Sequence, residues 1–496
     1  MKTSVKSLLD ALDIVSIDGK LPKSVSGISQ DSRRIKPGYI FAVRTGASVS
    51  GFRYAKSAEQ AGAVIILTDE KIDSEINLPI ITIKNFYKAL CDASLLIYDN
   101  PSKRMKLIGI TGTDGKTSTA HIIKSILNEA NYECGMLGTI GYDTISNKYE
   151  ARLTTPEIDE ICELLDEIIT SAHESEVVWA VMEVSSHALE LGRVEGLSFT
   201  AVGITNLNPE HMDFHQTFDD YALAKSKLFS MLDENAPGVI NISARKGDTM
   251  ISACTGKVVT YGHFDSGADY SFNTIEHSLA GGRYLISKDS EHFEIESELI
   301  GEYQGENITL AAAVLLELGL EWQDVVSGVK ALRNVPGRME RIRCGQPFSV
   351  MVDYAHTPQA LETSLKTIKP LCRAKLTSLF GCGGDRDNAK RPEMAKVVAA
   401  NADRIIVAND NPRTEDPLQI IDDILTGIQP ESLSKVMIEP DRKLAIELAI
   451  KLSEKDDVVV ISGKGAESYQ QISEAMHPFD DREVARKALN QAGWSL

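Results

Sequence analysis

No CxxC pair occurs in this 496-residue chain, and its seven cysteines (Cys91, Cys134, Cys162, Cys254, Cys344, Cys372 and Cys382) are scattered and odd in number. That argues against a disulfide framework and a paired-thiolate zinc site, and points to reduced thiols in a cytoplasmic setting. No run of about eighteen apolar residues exists, so no membrane span is expected. The opening stretch, MKTSVKSLLDALDIVSIDGK, places Asp10 and Asp13 inside its apolar part. It lacks the apolar core and small-residue cleavage site of a secretory signal, which again favours the cytoplasm. Basic charge is also lacking: the formal charge is −19. Non-specific nucleic-acid binding needs a basic surface and is disfavoured, although a local basic pocket for a small anion is not. Internal repeats and low-complexity tracts are absent too.

What is present reads as a globular protein of several domains, with 43% hydrophobic and 25% charged residues. Three units are expected. The first, residues 1–104, alternates short strand-like runs (GYIFAV, AVIILT, LPIITI) with a helix-like one (RYAKSAEQAG). The segment YDNPSKRMK favours a turn and marks a boundary. The second unit covers 105–334 and the third 335–496.

The later units share one grammar, in which a nearly all-apolar run ends in a polar cluster and a helical stretch follows. The runs KLIGI, VVWAVMEV, TAVGIT, FSVMV, KLTSLF, RIIVA and DVVVI end in TGTDGKT, SSH, NLNPEHMDFH, DYAHTP, GCGGDRD, NDNPR and SGKGAE. Such runs imply α/β architecture with parallel sheets covered on both faces. Ligands bind such sheets beyond the carboxyl ends of the strands, where all seven clusters fall.

The first cluster nearly spells the phosphate loop G-x-x-x-x-G-K-[ST]. Gly115, Lys116 and Thr117 fit its end, but Ile110 stands where the opening glycine belongs. A strand over 106–110 and a helix over 118–128 supply the expected context. Backbone N–H groups at the helix start would face phosphates, Lys116 would reach the β/γ-phosphates, and Thr117 or Ser118 would help hold Mg²⁺. The plainer alternative is a glycine turn with an incidental lysine. Asp114 must point away from phosphate or toward a cation. Glu183, at the end of VVWAVMEV, is suited to Mg²⁺. His211, Asp213 and His215 alternate and would share a face if extended, yet taken alone they read as hydrogen-bonded loop residues. Lys225, on a helix, taken alone reads as a solvated surface group.

TGTDGKTST resembles the ATP loop of the Mur ligases and folylpolyglutamate synthetases, usually T-G-T-N-G-K-T/S, with Asp114 in the place of Asn. The resemblance extends through all three units and is strongest to the diaminopimelate-adding Mur ligases. It implies a UDP-binding N-terminal α/β domain, a central P-loop ATPase-like parallel sheet and a C-terminal Rossmann-like domain. It assigns ATP to Gly112, Thr113, Asp114, Gly115, Lys116, Thr117 and Ser118. Asn307, Arg338, Asp353 and His356 join them, although Tyr303 and Gln304 depart from the pattern around Asn307. Metal falls to Thr117, Glu183 and His211, with Glu210 replacing the usual Asp before the histidine. YALAKSKLF matches the segment of a carbamylated lysine, here Lys225 as N6-carboxylysine; the carbamate replaces an ammonium that two Mg²⁺ would repel. Catalytic roles are implied for Lys116, Lys225 and His211.

The motif D-S-R followed by P-G-x-x-F resembles the family's UDP site, with Ser32 against the diphosphate. Ser50 stands in the place of an aspartate beside the uridine contacts near 47–49. Thr154, Thr155, Ser185 and Arg193 match contacts to UDP-N-acetylmuramoyl-L-alanyl-D-glutamate (UDP-MurNAc-L-Ala-D-Glu), with Leu191 where some relatives have Gln. For the acceptor, DNPR (Asp410, Asn411, Pro412, Arg413) is by itself compatible with a simple Asn-Pro turn. The resemblance makes it the signature of a meso-diaminopimelate site, completed by Arg386, Gly463 and Glu467, with Ala466 replacing the usual His. The far end of that substrate carries a carboxylate that lysine lacks, and the planar fork of Arg413 suits a carboxylate. The expected protein is a monomeric ATP- and Mg²⁺-dependent amide ligase of peptidoglycan precursor synthesis, acting through an acyl phosphate. An L-lysine-adding ligase, a folylpolyglutamate-type ligase and a nucleotide-dependent switch without ligase chemistry are the alternatives.

Overall fold

All seven apolar runs form strands. They do so in a computed structural model that describes residues 2–44, 51–70, 76–172 and 177–495. Ser50 and the expected uridine contacts near 47–49 lie outside the described residues. The chain divides into two compact units. One comprises Met1–Ser271, Ser287–Glu291 and Asn307–Gly328, and the other Phe272–Ile286, His292–Glu306 and Val329–Leu496.

In the first unit, β1 (Ile14–Asp18), β2 (Gly27–Ser29), β3 (Tyr39–Ala42), β4 (Ile65–Thr68) and β5 (Ile80–Ile83) make a sheet in the order β1-β5-β4-β3-β2. It is parallel except for β1 against β5. YDNPSKRMK contains a short 3-10 turn, Pro101–Arg104. Next come β6 (Lys106–Thr111), β7 (Cys134–Gly138), β8 (Gly141–Asp143), β9 (Lys148–Tyr149), β10 (Trp179–Glu183), β11 (Ala201–Ile204), β12 (Pro237–Asn241) and β13 (Lys257–His263). β14 (Tyr270–Ser278), β15 (Gly281–Lys288) and β16 (Glu291–Ser297) follow, with most of their residues in the second unit. The first-unit strands from β6 to β13 lie side by side in one sheet, in the order β9-β8-β7-β10-β6-β11-β12-β13. The pairs β7–β10, β10–β6, β6–β11, β11–β12 and β12–β13 are parallel. The chain passes from β6 to β7, returns to insert β10 between them, and then places β11 on the other side of β6. The crevice at such a reversal is where open α/β sheets bind ligands, and the near-miss loop leaves β6 there.

One buried core joins the first hundred residues to the central strands. Leu8, Ile28, Ile81 and Phe86 belong to the same apolar cluster as Leu107, Ile161, Leu165 and Ala180. Shared burial of this kind groups residues 1–104 with the central sheet in one unit.

In the second unit, β17 (Glu340–Ile342), β18 (Ser349–Asp353), β19 (Leu376–Phe380), β20 (Arg404–Val407), β21 (Val436–Ile438) and β22 (Val458–Ser462) run in the order β17-β18-β22-β19-β20-β21. All pairs are parallel except β17–β18. Alternate residues feed separate cores: Met351, Ile405 and Val460 pack on one face, and Val350, Ile406 and Val459 on the other. Burial on both faces is why these strands read as continuous rather than alternating apolar runs.

All seven cysteines are free thiols. Among the described residues no helix is long and apolar enough to cross a membrane.

Candidate active site

Two glycines shape the loop after β6. Gly112 has φ 138° and Gly115 φ 84°, where side chains are strained. A Cβ on Gly112 would overlap Thr205 Oγ1, and one on Gly115 would overlap Asn307 Oδ1. Gly115 is the N-cap of helix α1 (Lys116–Glu129), which starts two residues before the expected position. The loop is tied to the end of β11. Thr113 N donates to Asn206 O and Asp114 N to Asn206 Oδ1, both at 3.0 Å. Thr205 Oγ1 donates to Asp114 O at 2.5 Å. Thr113 Oγ1 donates to Asn208 O at 3.0 Å. These bonds fix the backbone of Asp114 while its side chain is exposed. Lys116 Nζ arches over the loop to the carbonyls of Gly112 (2.8 Å) and Thr113 (2.7 Å). Asn307, on α3 (Gln304–Glu317), comes within 3.4 Å of Thr119 Oγ1.

Glu183, 1% exposed at the end of β10, is the hub of this centre. Thr117 Oγ1 donates to its Oε2 at 2.9 Å. Thr139 donates twice, from N to Oε1 and from Oγ1 to Oε2, each at 3.0 Å. Thr139 Oγ1 also lies 3.1 Å from Thr154 Oγ1. A continuous hydroxyl–carboxylate chain therefore links the phosphate loop to LTTPE. Thr155 Oγ1 donates to Glu183 O at 2.8 Å and accepts from Ser185 N at 2.9 Å. Ser185 caps the short helix Ser186–Glu190. Arg193 donates to Thr155 O at 3.4 Å and pairs with Glu157 at 2.8 Å.

Lys225 is not a surface residue. It lies on α2 (Phe218–Ser226), capped by Thr217, and is 2% exposed. Its Nζ donates to Gly112 O at 2.9 Å and sits 4.6 Å from the Tyr221 ring centre. Burial, reinforced by the Lys116 charge, pushes its ammonium well below the usual lysine range.

His211, Asp213 and His215 do not share an extended face. A one-turn helix, Met212–His215, replaces the extended segment and spreads them. His215 is buried, with Nε2 2.9 Å from Ser186 Oγ. His211, in left-handed backbone (φ 57°), stays partly exposed and meets the His187 ring at 4.6 Å. Thr117 and Glu183 are thus joined directly, while His211 takes part in a separate ring cluster. Among the described residues no three His, Cys, Asp or Glu side chains are gathered as a metal site.

Ser32 lies in a 3-10 turn capped by Asp31. Asp31 pairs with Arg33 at 2.7 Å and with Arg152, two residues before Thr154. Its Arg33 bonds hold the Asp31 carboxyl well below the usual range. The pairing brings D-S-R to LTTPE, as binding of one long substrate by both would need.

In the second unit, Arg338 lies 4.5 Å from the Tyr354 ring centre. Asp353 accepts from Met339 N at 3.1 Å and Ser364 Oγ at 3.0 Å. His356 Nδ1 is 2.9 Å from Tyr354 O. DNPR is more than a turn. Asn411 Nδ2 donates to Glu467 Oε2 at 3.0 Å, and Gln470 Nε2 to Asp410 O at 2.6 Å. A Cβ on Gly463 would stand 2.6 Å from Asp410 Oδ2. Arg413, also left-handed (φ 51°), is pinned by Gln471 O at 3.1 Å and Ser473 N at 2.7 Å. Its Nη1 donates to Gly384 O at 2.7 Å. Asp385 accepts from Thr414 Oγ1 at 2.7 Å, tying GCGGDRD to the residues after DNPR. Arg386 is exposed on that loop. The ends of β19, β20 and β22 therefore converge on Asp410, Asn411, Arg413, Gly463 and Glu467.

Sequence reasoning missed Thr139, Thr205, Asn206 and Lys464. Each stands at or just beyond the end of an apolar run, and that position is the signal that could have found it.

The chain matches three family models in succession: "Mur ligase family, catalytic domain" over 24–98, "Mur ligase middle domain" over 110–315, and "Mur ligase, glutamate ligase domain" over 337–465. The chain belongs to the Mur ligase family. It is 37% identical over 484 residues to a UDP-N-acetylmuramoyl-L-alanyl-D-glutamate–2,6-diaminopimelate ligase of Syntrophomonas wolfei, covering 97% of this chain and 98% of that one. A solved structure of a ligase of that name matches with TM-score 0.67 and 30% identity, each chain covered in full. The MurF ligase of Thermotoga maritima, solved with ADP, shares the fold (TM-score 0.63, 16% identity, 94% and 99% covered).

Proposed function

We propose that this Mur ligase joins meso-diaminopimelate to UDP-N-acetylmuramoyl-L-alanyl-D-glutamate at the expense of ATP. Three segments divide the work: residues 1–104 for the UDP part, 105–334 for ATP and 335–496 for the acceptor. The observation that carries the reading is the Thr117–Glu183–Thr139–Thr154 chain. It puts a phosphate loop and a substrate-reading segment on one carboxylate, as transfer of phosphate onto a substrate carboxylate needs.

A free carboxylate of the dipeptide attacks the γ-phosphorus, the bond to the β-phosphate oxygen breaks, and ADP departs to leave an acyl phosphate. The acceptor amine attacks the acyl carbon. Phosphate departs from the tetrahedral intermediate, and the nitrogen loses a proton. Lys116 and the N–H groups opening α1 stabilise charge on the transferring phosphoryl group. Thr117 and Glu183 supply the hard oxygen donors that Mg²⁺ takes, and they would hold it. Bound Mg²⁺ would neutralise phosphate charge. Lys225, as a carbamate, would add an anion beside Lys116. Thr154, Thr155, Ser185 and Arg193 orient the dipeptide, and Ser32 its diphosphate. Arg413 and its neighbours present the acceptor. Free thiols and ATP use fit a cytoplasmic location.

Phosphate release with ATP and the UDP-muramoyl-dipeptide, compared between meso-diaminopimelate and L-lysine, tests the reading. Preference for diaminopimelate supports it. Preference for lysine keeps the ligase but overturns the acceptor, and no acceptor-dependent release with either overturns both.

A further inference from the structure

Lys464 has the most enclosed ammonium in the acceptor region. Its side chain is fully buried, between Gly463 and Gly465 in the loop after β22. Nζ donates to Glu467 Oε2 at 2.8 Å and to Asn411 Oδ1 at 3.1 Å. The triangle closes through the 3.0 Å bond from Asn411 Nδ2 to the same Glu467 oxygen. Gln471 N adds a second donor to Asn411 Oδ1 at 3.0 Å, and the Tyr469 ring centre lies 5.4 Å from Nζ. A lysine so buried, with its ammonium already engaged, is not free to contact a substrate directly. It is held by two residues that belong to the proposed pocket, from two different strand ends.

We propose that Lys464 is a positioning residue for the acceptor. Its ammonium locks the Glu467 carboxylate and the Asn411 carboxamide into one orientation, so that one carboxylate oxygen is engaged and the other is presented to the ammonium of the incoming amino acid. The inference rests on the acceptor reading above. Without Lys464, the partly exposed Glu467 (26%) can swing toward water and Asn411 loses its amide orientation. Acceptor binding would weaken while the phosphate centre keeps its own bonds to Glu183.

Steady-state kinetics of Lys464→Met, Glu467→Gln and the double variant provide the test, using whichever acceptor the wild-type enzyme turns over. Lys464→Met should raise the acceptor KM at least about 10-fold, with kcat at saturating acceptor and the KM for ATP within about threefold of wild type. The double variant should lose much less than the product of the two single losses, because both remove one shared arrangement. Unchanged acceptor KM, losses that multiply, or an equal fall in kcat would overturn the proposal. If Lys464→Met does not fold, the double variant, which removes both charges, is compared with Glu467→Gln alone: agreement within about threefold supports the inference, and a further tenfold loss overturns it. A wild-type enzyme without acceptor-dependent phosphate release would sink the acceptor reading instead, a separate result.

Discussion

Lys116 and Lys225 donate to the same acceptor, the carbonyl oxygen of Gly112, at 2.8 and 2.9 Å. Two ammonium groups on one oxygen repel each other, and the buried one gives way: burial and then Lys116 lower the Lys225 pKa. A neutral amine is the form that adds to CO₂, giving a carbamate and releasing a proton. Lys225→Arg, which stays protonated, should abolish activity. Depleting CO₂ should lower wild-type turnover, and bicarbonate should restore it. Full activity of the arginine variant would dispose of the carbamate. Lys116→Ala should lower turnover at least about 10³-fold, through lost stabilisation of the transferring phosphoryl group.

Gly115 lies between Asn307 and the start of α1. Gly115→Ala places a side chain at φ 84° and drives its Cβ into Asn307 Oδ1. The backbone strain alone is of order 1–3 kcal/mol. ADP affinity measured by calorimetry should fall at least tenfold, by roughly 1.4 kcal/mol or more. Wild-type affinity would remove the loop from the nucleotide site.

The strand grammar and the loop were legible because each is written in consecutive residues. Seven apolar runs could be seen without knowing their neighbours, and all seven form parallel-paired strands. The Glu183 hub was only half legible. Its place at a strand end could be read, but Thr139 is an ordinary threonine until the return of β10 beside β7 brings it to the carboxylate. Lys464 was hidden for a related reason: Glu467 is three residues on, but Asn411 is brought to it only by the sheet order. His211, Asp213 and His215 would share a face only in an extended segment, and the single helical turn Met212–His215 scatters them instead. The 1–104 boundary marks a turn in the chain, while burial of Leu107 and Ile161 with Ile28 and Phe86 makes one core across it.

Glu317 sets an acid limit on stability. Its burial opposes the charge, but hydrogen bonds from Lys257 (2.6 Å), Lys288 (2.9 Å) and Tyr270 (2.9 Å) outweigh it and bring the pKa to about 2. A folded-state pKa below the unfolded value stabilises fully above the unfolded value of about 4.5 and is lost as pH falls toward 2. Urea midpoints of wild type and Glu317→Gln should therefore differ most at neutral pH and draw together as the pH falls from about 4.5 toward 2. A gap independent of pH would show that the carboxylate charge contributes nothing.

On the proposed function, acceptor choice turns on Arg413. Its left-handed backbone is held by Gln471 and Ser473, and Gly384 O fixes one edge of its guanidinium. A rigid, half-buried fork favours a ligand that brings a carboxylate, because one without it leaves the cation without a counter-charge. Arg413→Ala should lower kcat/KM for meso-diaminopimelate by about 10²-fold or more, as expected for loss of a hydrogen-bonded charge pair. L-Lysine, which never met the fork with a carboxylate, should lose far less, bringing the two acceptors close to parity. Competition between them, with each product measured by mass, gives the ratio directly. An undiminished preference for diaminopimelate would place the reading of its far carboxylate elsewhere, with the exposed Arg386 on the adjoining loop the next residue to change.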